Sequence, residues 1–134
     1  MANLRAGLIG LGMMGRHHAR VLGSLDGVEL VAVADPGGDA HGAANGRPVL
    51  NDVQELIAAG IDFAVVAVPT VFHTETGLAL AEAGVHTLVE KPLAPDVESA
   101  TLLTETFERA GLVGAVGHIE RFNPSLQELR KRLE

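Results

Sequence analysis

The sequence predicts a doubly wound α/β domain: a mostly parallel sheet with helices on both faces. Three observations carry that reading. Short apolar runs alternate with stretches of helical period six times along 134 residues, which is the pattern of strand–helix–strand crossovers. Most of the runs are apolar throughout rather than alternating in polarity, as parallel strands covered on both faces require. The first run ends in the turn Gly10-Leu11-Gly12-Met13-Met14-Gly15, which opens directly into a helical stretch.

Each element has its own signal. Leu4 to Ile9 is a short apolar strand ending in glycine. From Met13 to Leu25, the residues Met14, Ala19, Val21, Leu22 and Leu25 fall at helical spacing and are expected to face inward, with Arg16, His17 and Arg20 toward solvent. Val28 to Ala34 reads as a second strand, Pro36 to Arg47 mostly as a loop, and Val49-Leu50 as a brief third strand. Asn51 or Asp52 caps a helix through Leu56-Ile57 to Ala59, and Gly60 stops it. Ile61 to Val68 is the most β-like run and ends at Pro69; a helix follows over 72–83, stopped by Gly84. Val85 to Glu90 is a fifth strand. Pro95-Asp96 opens a helix that runs to Ala110 and ends at Gly111, and Leu112 to Gly117 is a sixth strand. After Asn123-Pro124 a last helix carries Leu126, Leu129 and Leu133 on one face and Arg130, Lys131 and Arg132 off it. We expect residues 1–120 to form one domain and 121–134 to begin a connection, since a chain that stops inside an amphipathic helix is expected to be cut from something longer.

Composition narrows the function classes. A net charge of −7, four Phe and no Tyr or Trp exclude the basic, aromatic-studded surface that nucleic acid needs. No apolar run approaches the roughly 20 residues of a bilayer span, and with the first strand starting at Leu4 no signal peptide is expected. The absence of cysteine fits a reducing compartment, and we expect a cytoplasmic protein. No histidine pair has metal-ligand spacing; neighbours His17 and His18 point to different helix faces.

The glycine turn has a specific chemistry. Gly10 permits the tight turn, Gly12 lets the backbone approach a pyrophosphate, and Gly15 lets the helix pack closely on the sheet. The phosphates then meet the unpaired N–H groups and positive dipole end of the helix, at Met13 and Met14. Asp35 follows Gly15 by twenty residues and closes the second strand, where a carboxylate can accept hydrogen bonds from ribose hydroxyls. No Arg or Lys lies within five residues of Asp35, so a 2′-phosphate would find repulsion there and no cation; NAD is favoured over NADP. The other residues at strand carboxyl ends are Pro69-Thr70, Glu90-Lys91-Pro92 and His118 to Asn123. Lys91 reads equally as a turn lysine and as an ammonium able to stabilise a developing alkoxide. Arg121 could grip a phosphate or carboxylate. His73 and His118 lie at the same edge.

Three stretches, GLIGLGMMGRHHA, AVPTVFHTETGLALAEAGVHTLVEKPLA and VGHIERFNP, together resemble the Gfo/Idh/MocA family of NAD(P)-dependent sugar and inositol oxidoreductases. Glu90-Lys91-Pro92 is the most specific element of the likeness. The resemblance implies a Rossmann domain, with Lys91 beside the nicotinamide and in contact with the reacting carbinol. It implies that Pro69, Thr70, His73, Glu90 and Lys91 line the cofactor groove, with Thr70 standing where the family commonly has Asn. It assigns His118, Arg121 and Asn123 to the substrate, and the stretch from His118 to Pro124 is most similar to members acting on nucleotide-linked amino sugars. It also implies a second α+β domain supplying the substrate floor, an acid/base and a homo-oligomer interface. A sugar, nucleotide-sugar or cyclitol dehydrogenase is therefore expected, with little or no turnover from these 134 residues alone. A non-catalytic dinucleotide-sensing module is the alternative.

Overall fold

A computed structural model describes residues 1–134. Its six strands are β1 (Leu4–Ile9), β2 (Val28–Ala34), β3 (Val49–Leu50), β4 (Phe63–Val66), β5 (His86–Glu90) and β6 (Gly114–Gly117). Five α-helices join or follow them: α1 (Met13–Leu22), α2 (Val53–Ala58), α3 (His73–Glu82), α4 (Val97–Arg109) and α5 (Pro124–Leu133). Every strand pairing is parallel, and the order across the sheet is β3-β2-β1-β4-β5-β6. This is the order of a doubly wound dinucleotide-binding sheet. The chain reverses direction across the sheet between β3 and β4, so the crevice opens beyond the carboxyl ends of β1 and β4.

The two faces of the sheet bury different cores. On one, α1 packs Ala19 and Leu22 against Ala6, Leu8, Leu30, Val33 and Val65. On the other, Leu56 of α2 and Leu80 of α3 pack against Ile9, Ala34, Ala64, Val66 and Val89. A smaller cluster of Ala81, Leu103 and Phe107 joins α3 to α4. Aliphatic residues and Ala do nearly all of this filling, as the scarcity of aromatics demands.

Two helices are capped by their own carboxylates. Asp52 accepts from the Glu55 amide at 2.9 Å, and Asp96 accepts from the Ser99 amide at 2.8 Å. The 36–47 segment is a loop, as expected, and Asp39 organises it by accepting from the Ala43 and Ala44 amides, each at 2.8 Å.

The expected inward face of α1 needs correction. Its buried stripe is Gly15, Ala19 and Leu22, whereas Met14, Val21 and Leu25 are exposed. The buried positions recur at i, i+4 and i+7, and Met14 and Val21 each stand one residue, about 100°, off that line. Bulk was the wrong guide here: the contact line begins at Gly15, where the Gly10 carbonyl leaves no room for a side chain, and runs through Ala19 to Leu22. The helix also stops at Leu22, with Gly23 as its cap, so Leu25 is not part of it. The strands β4 and β6 are shorter than expected, at 63–66 and 114–117.

Candidate active site

The strand register brings the predicted residues to one edge. Ile9 pairs with Ala34 and with Val66, Val66 with Val89, and Glu90 with Gly117. One residue beyond those positions stand Gly10, Asp35, Ala67 and His118, with Pro69-Thr70 and Lys91 close behind.

The three glycines of the turn sort by what they avoid. Gly10 has φ +98°, and a Cβ there would stand 2.5 Å from the Ala67 carbonyl. A Cβ on Gly15 would overlap the carbonyl oxygen of Gly10. Those two glycines are required by the protein itself. A Cβ on Gly12, however, would meet no atom of the chain within 4 Å, so the protein's own packing does not require a glycine there. Gly12 is also the N-cap of α1 and has no side chain to satisfy it, so the first-turn amides of Met13, Met14 and Gly15 have no carbonyl within the helix. The cradle fits a pyrophosphate.

Asp35 holds the turn as well as facing the crevice. Its Oδ2 accepts from the Leu11 amide at 2.8 Å and its Oδ1 from the Gly37 amide at 2.7 Å. Each oxygen retains a lone pair for a hydroxyl. Arg47, the nearest arginine along the chain, donates to the carbonyls of Leu30 and Ala44 and so brings no cation to Asp35.

The Glu90-Lys91-Pro92 segment divides its roles. Lys91 is exposed and lines a cavity with His118, Ile119, Glu120, Arg121 and Arg130; neither its ammonium nor the Arg121 guanidinium makes an ion pair. Glu90 is only 8% exposed and its carboxylate turns toward α1, where His18 Nε2 donates to Oε1 at 2.7 Å. His73 is 1% exposed, with Nδ1 2.8 Å from the Pro92 carbonyl and Nε2 2.8 Å from the Val68 carbonyl. Glu90 and His73 thus support the groove from beneath rather than line it, since their polar atoms are committed inside the protein. Pro69 and Thr70 do lie at the edge, Thr70 opening a single 3-10 turn into α3.

His118 and Arg121 share the Lys91 cavity. Asn123 is turned elsewhere: its Oδ1 accepts from the Ser125 amide and its Nδ2 donates to Glu120, which makes it the cap of α5. Two residues of this site escaped the sequence reading. Arg130 reaches the cavity from α5, and no local pattern marks it. His18 could have been found only by noticing that α1 and β5 meet on one face of the sheet. No group of three or more His, Asp or Glu side chains converges as a metal site would, and no helix is long and apolar enough to cross a membrane.

Comparison with known proteins agrees with this fold. A family model described as an oxidoreductase family with an NAD-binding Rossmann fold matches residues 4–118. Inositol 2-dehydrogenase 4 of Saccharopolyspora erythraea is 38% identical over 97% of the chain, which covers 40% of that protein. The structure of UDP-N-acetylglucosamine 3-dehydrogenase GnnA from Acidithiobacillus ferrooxidans superposes with a TM-score of 0.87 at 33% identity, over 98% of this chain and 44% of that one. The WlbA dehydrogenase from Bordetella pertussis, solved with NADH and UDP-GlcNAcA, gives a TM-score of 0.89 at 28% identity, over 98% and 40%. The chain thus spans about two-fifths of the length of these relatives.

Proposed function

The chain belongs to the Gfo/Idh/MocA oxidoreductase family, whose NAD-binding Rossmann domain it carries, and from that premise we propose that it is the cofactor-binding part of a sugar, nucleotide-sugar or cyclitol dehydrogenase. The observation that carries the proposal is the pairing of two features at one sheet edge. One is a glycine, Gly12, that faces open space and is not required by the protein's own packing; the other is a lysine, Lys91, whose ammonium makes no ion pair and lines a cavity with His118 and Arg121.

In this reading residues 1–120 are the cofactor domain and 121–134 begin the connection to the rest of the enzyme. Gly10, Gly12 and Gly15 shape the phosphate cradle, and the Met13 and Met14 amides donate into it. Asp35 accepts from the ribose hydroxyls, which favours NAD over NADP. Pro69 and Thr70 line the groove nearer the nicotinamide. NAD, when bound, supplies the hydride acceptor. Lys91 donates to the substrate hydroxyl and stabilises the negative charge that develops on its oxygen as the C–H hydride departs. His118 and Arg121 orient the substrate across the Lys91 cavity. The hydroxyl proton leaves to a base that we place in the part of the relatives' length with no counterpart in residues 1–134. We also propose a cytoplasmic, homo-oligomeric enzyme, consistent with a chain free of cysteine.

A calorimetric titration of the protein with NAD and NADP side by side tests the cofactor assignment. NAD is expected to bind at least about tenfold more tightly; tight NADP with weak NAD would refute the role given to Asp35. Lys91→Met in the full-length enzyme tests the chemistry. It is expected to lower kcat by about a hundredfold or more with NAD affinity little changed, whereas a dinucleotide sensor would lose nothing measurable by substrate turnover.

A further inference from the structure

Lys91 is the one member of its triplet with a free side chain, and its two neighbours are each held by a histidine from a different helix. On one side, His18 of α1 donates to Glu90 at 2.7 Å. Gly117 of β6 makes room for that carboxylate, because a Cβ at 117 would stand 2.9 Å from Oε1 and 3.0 Å from the carboxyl carbon. On the other side, the His73 ring sits between the carbonyls of Pro92 and Val68, 2.8 Å from each. A carbonyl oxygen only accepts, so the ring donates to whichever oxygen its proton faces, and to both when it carries two.

Resting on the role of Lys91 given above, we infer that His18 and His73 are positioning residues for Lys91. His18 does this in two ways. It keeps the Glu90 carboxylate against α1, where it cannot swing round to neutralise the adjacent ammonium and compete with a substrate hydroxyl for it. It also fastens the helix that carries the phosphate cradle to the strand end that carries the lysine. Two groups 72 residues apart in sequence thereby fix the cofactor turn relative to Lys91. His73 completes the arrangement by tying the carbonyl just beyond Lys91 to the end of β4. His73 is too deeply buried to touch a ligand, so its effect on turnover travels through the Lys91 backbone.

Kinetics of His18→Ala, His18→Gln and Gly117→Ala in the full-length enzyme test this, with Lys91→Met alongside. His18→Ala and Gly117→Ala are expected to lower kcat by about tenfold while NAD affinity stays within about threefold. His18→Gln, whose amide can still donate to Glu90, is expected to recover most of that loss. Wild-type kcat in His18→Ala overturns the inference, and so does an equal loss of kcat and NAD affinity, which a general packing defect would produce. Full turnover in Lys91→Met instead overturns the assignment of Lys91, a separable result. A measurement independent of turnover uses the protein of residues 1–134. The 15N order parameter of the Lys91 amide is expected near about 0.85 and to fall below about 0.6 in His18→Ala; an unchanged value overturns the inference even if the enzyme's substrate proves to be of another class.

Discussion

At the scale of single residues, the site is a set of exclusions as much as of contacts. Gly15 shows this most sharply, because its missing Cβ is what allows α1 to start against the Gly10 carbonyl. Gly15→Ala forces the helix off the sheet at its first turn. The expected cost is about 1–3 kcal/mol, the range for overpacking a close contact, with loss of NAD binding; urea denaturation and a cofactor titration measure the two. Gly12→Ala is the informative partner. It has room within the protein, so stability should change by less than about 1 kcal/mol, while cofactor binding falls. A short motif and a fixed spacing pointed to the glycines and Asp35, whereas Lys91 read equally as a turn lysine and drew its expected role only from the family resemblance. The commitments of Glu90 and His73 were not, since a sequence shows that a polar residue stands at a strand end but not which way its side chain turns. Asn123 is similar. It sits where a substrate ligand would, yet the Pro124 that follows already marks it as a helix cap.

At the scale of elements, two of the five helices, α2 and α4, start on a carboxylate cap. The Ser99 backbone amide, helped by the Ser99 hydroxyl, holds the Asp96 carboxyl below its ordinary value at the head of α4. The Ala44 amide, with those of Ala43 and His41, does the same for Asp39 in the loop before β3. Both folded values lie below the unfolded reference of 3.8, so each carboxylate contributes fully above that pH and its contribution is lost as pH falls through the lowered folded value. Thermal melts across pH are therefore expected to show no contribution from these two groups to any change between about pH 5 and 8, and a loss setting in below about pH 4. Asp96→Asn keeps an acceptor at the cap but no longer titrates, so its acid limb should fall less steeply; an unchanged limb would remove Asp96 from the account. The positions of these helices could be read from caps and stop glycines. The packed face of α1 could not, because the Gly10 carbonyl puts Gly15 on that face and so leaves Met14 and Val21 off it.

At the scale of the whole molecule, sheet order dictates where stability lies. β1 is bordered by β2 and β4 and covered on both faces, whereas β3 has two residues and β6 forms the far edge with Gly114 and Ala115 exposed. Native-state hydrogen exchange is expected to find the slowest amides in β1 and β4 and faster ones in β3, β6 and α5. Slow exchange in α5 would contradict this, since its Leu126, Leu129 and Leu133 are all exposed. The alternation of strands and helices made the parallel sheet legible, and the turn chemistry pointed to its ligand edge. Which strand neighbours which depends on the crossover between β3 and β4, a long-range choice that no local window records.

The double use of Asp35 has a consequence for how the cofactor arrives. The carboxylate assigned to the ribose already fastens the Leu11 amide inside the turn, so the cradle is shaped before anything enters it. Little chain is then expected to order during association, and the ordering entropy that so often erodes affinity is expected to be small. The heat capacity change on binding should then reflect surface covered by the dinucleotide rather than a loop folding around it. A carboxylate that only waited for ribose would leave the turn to find its form each time.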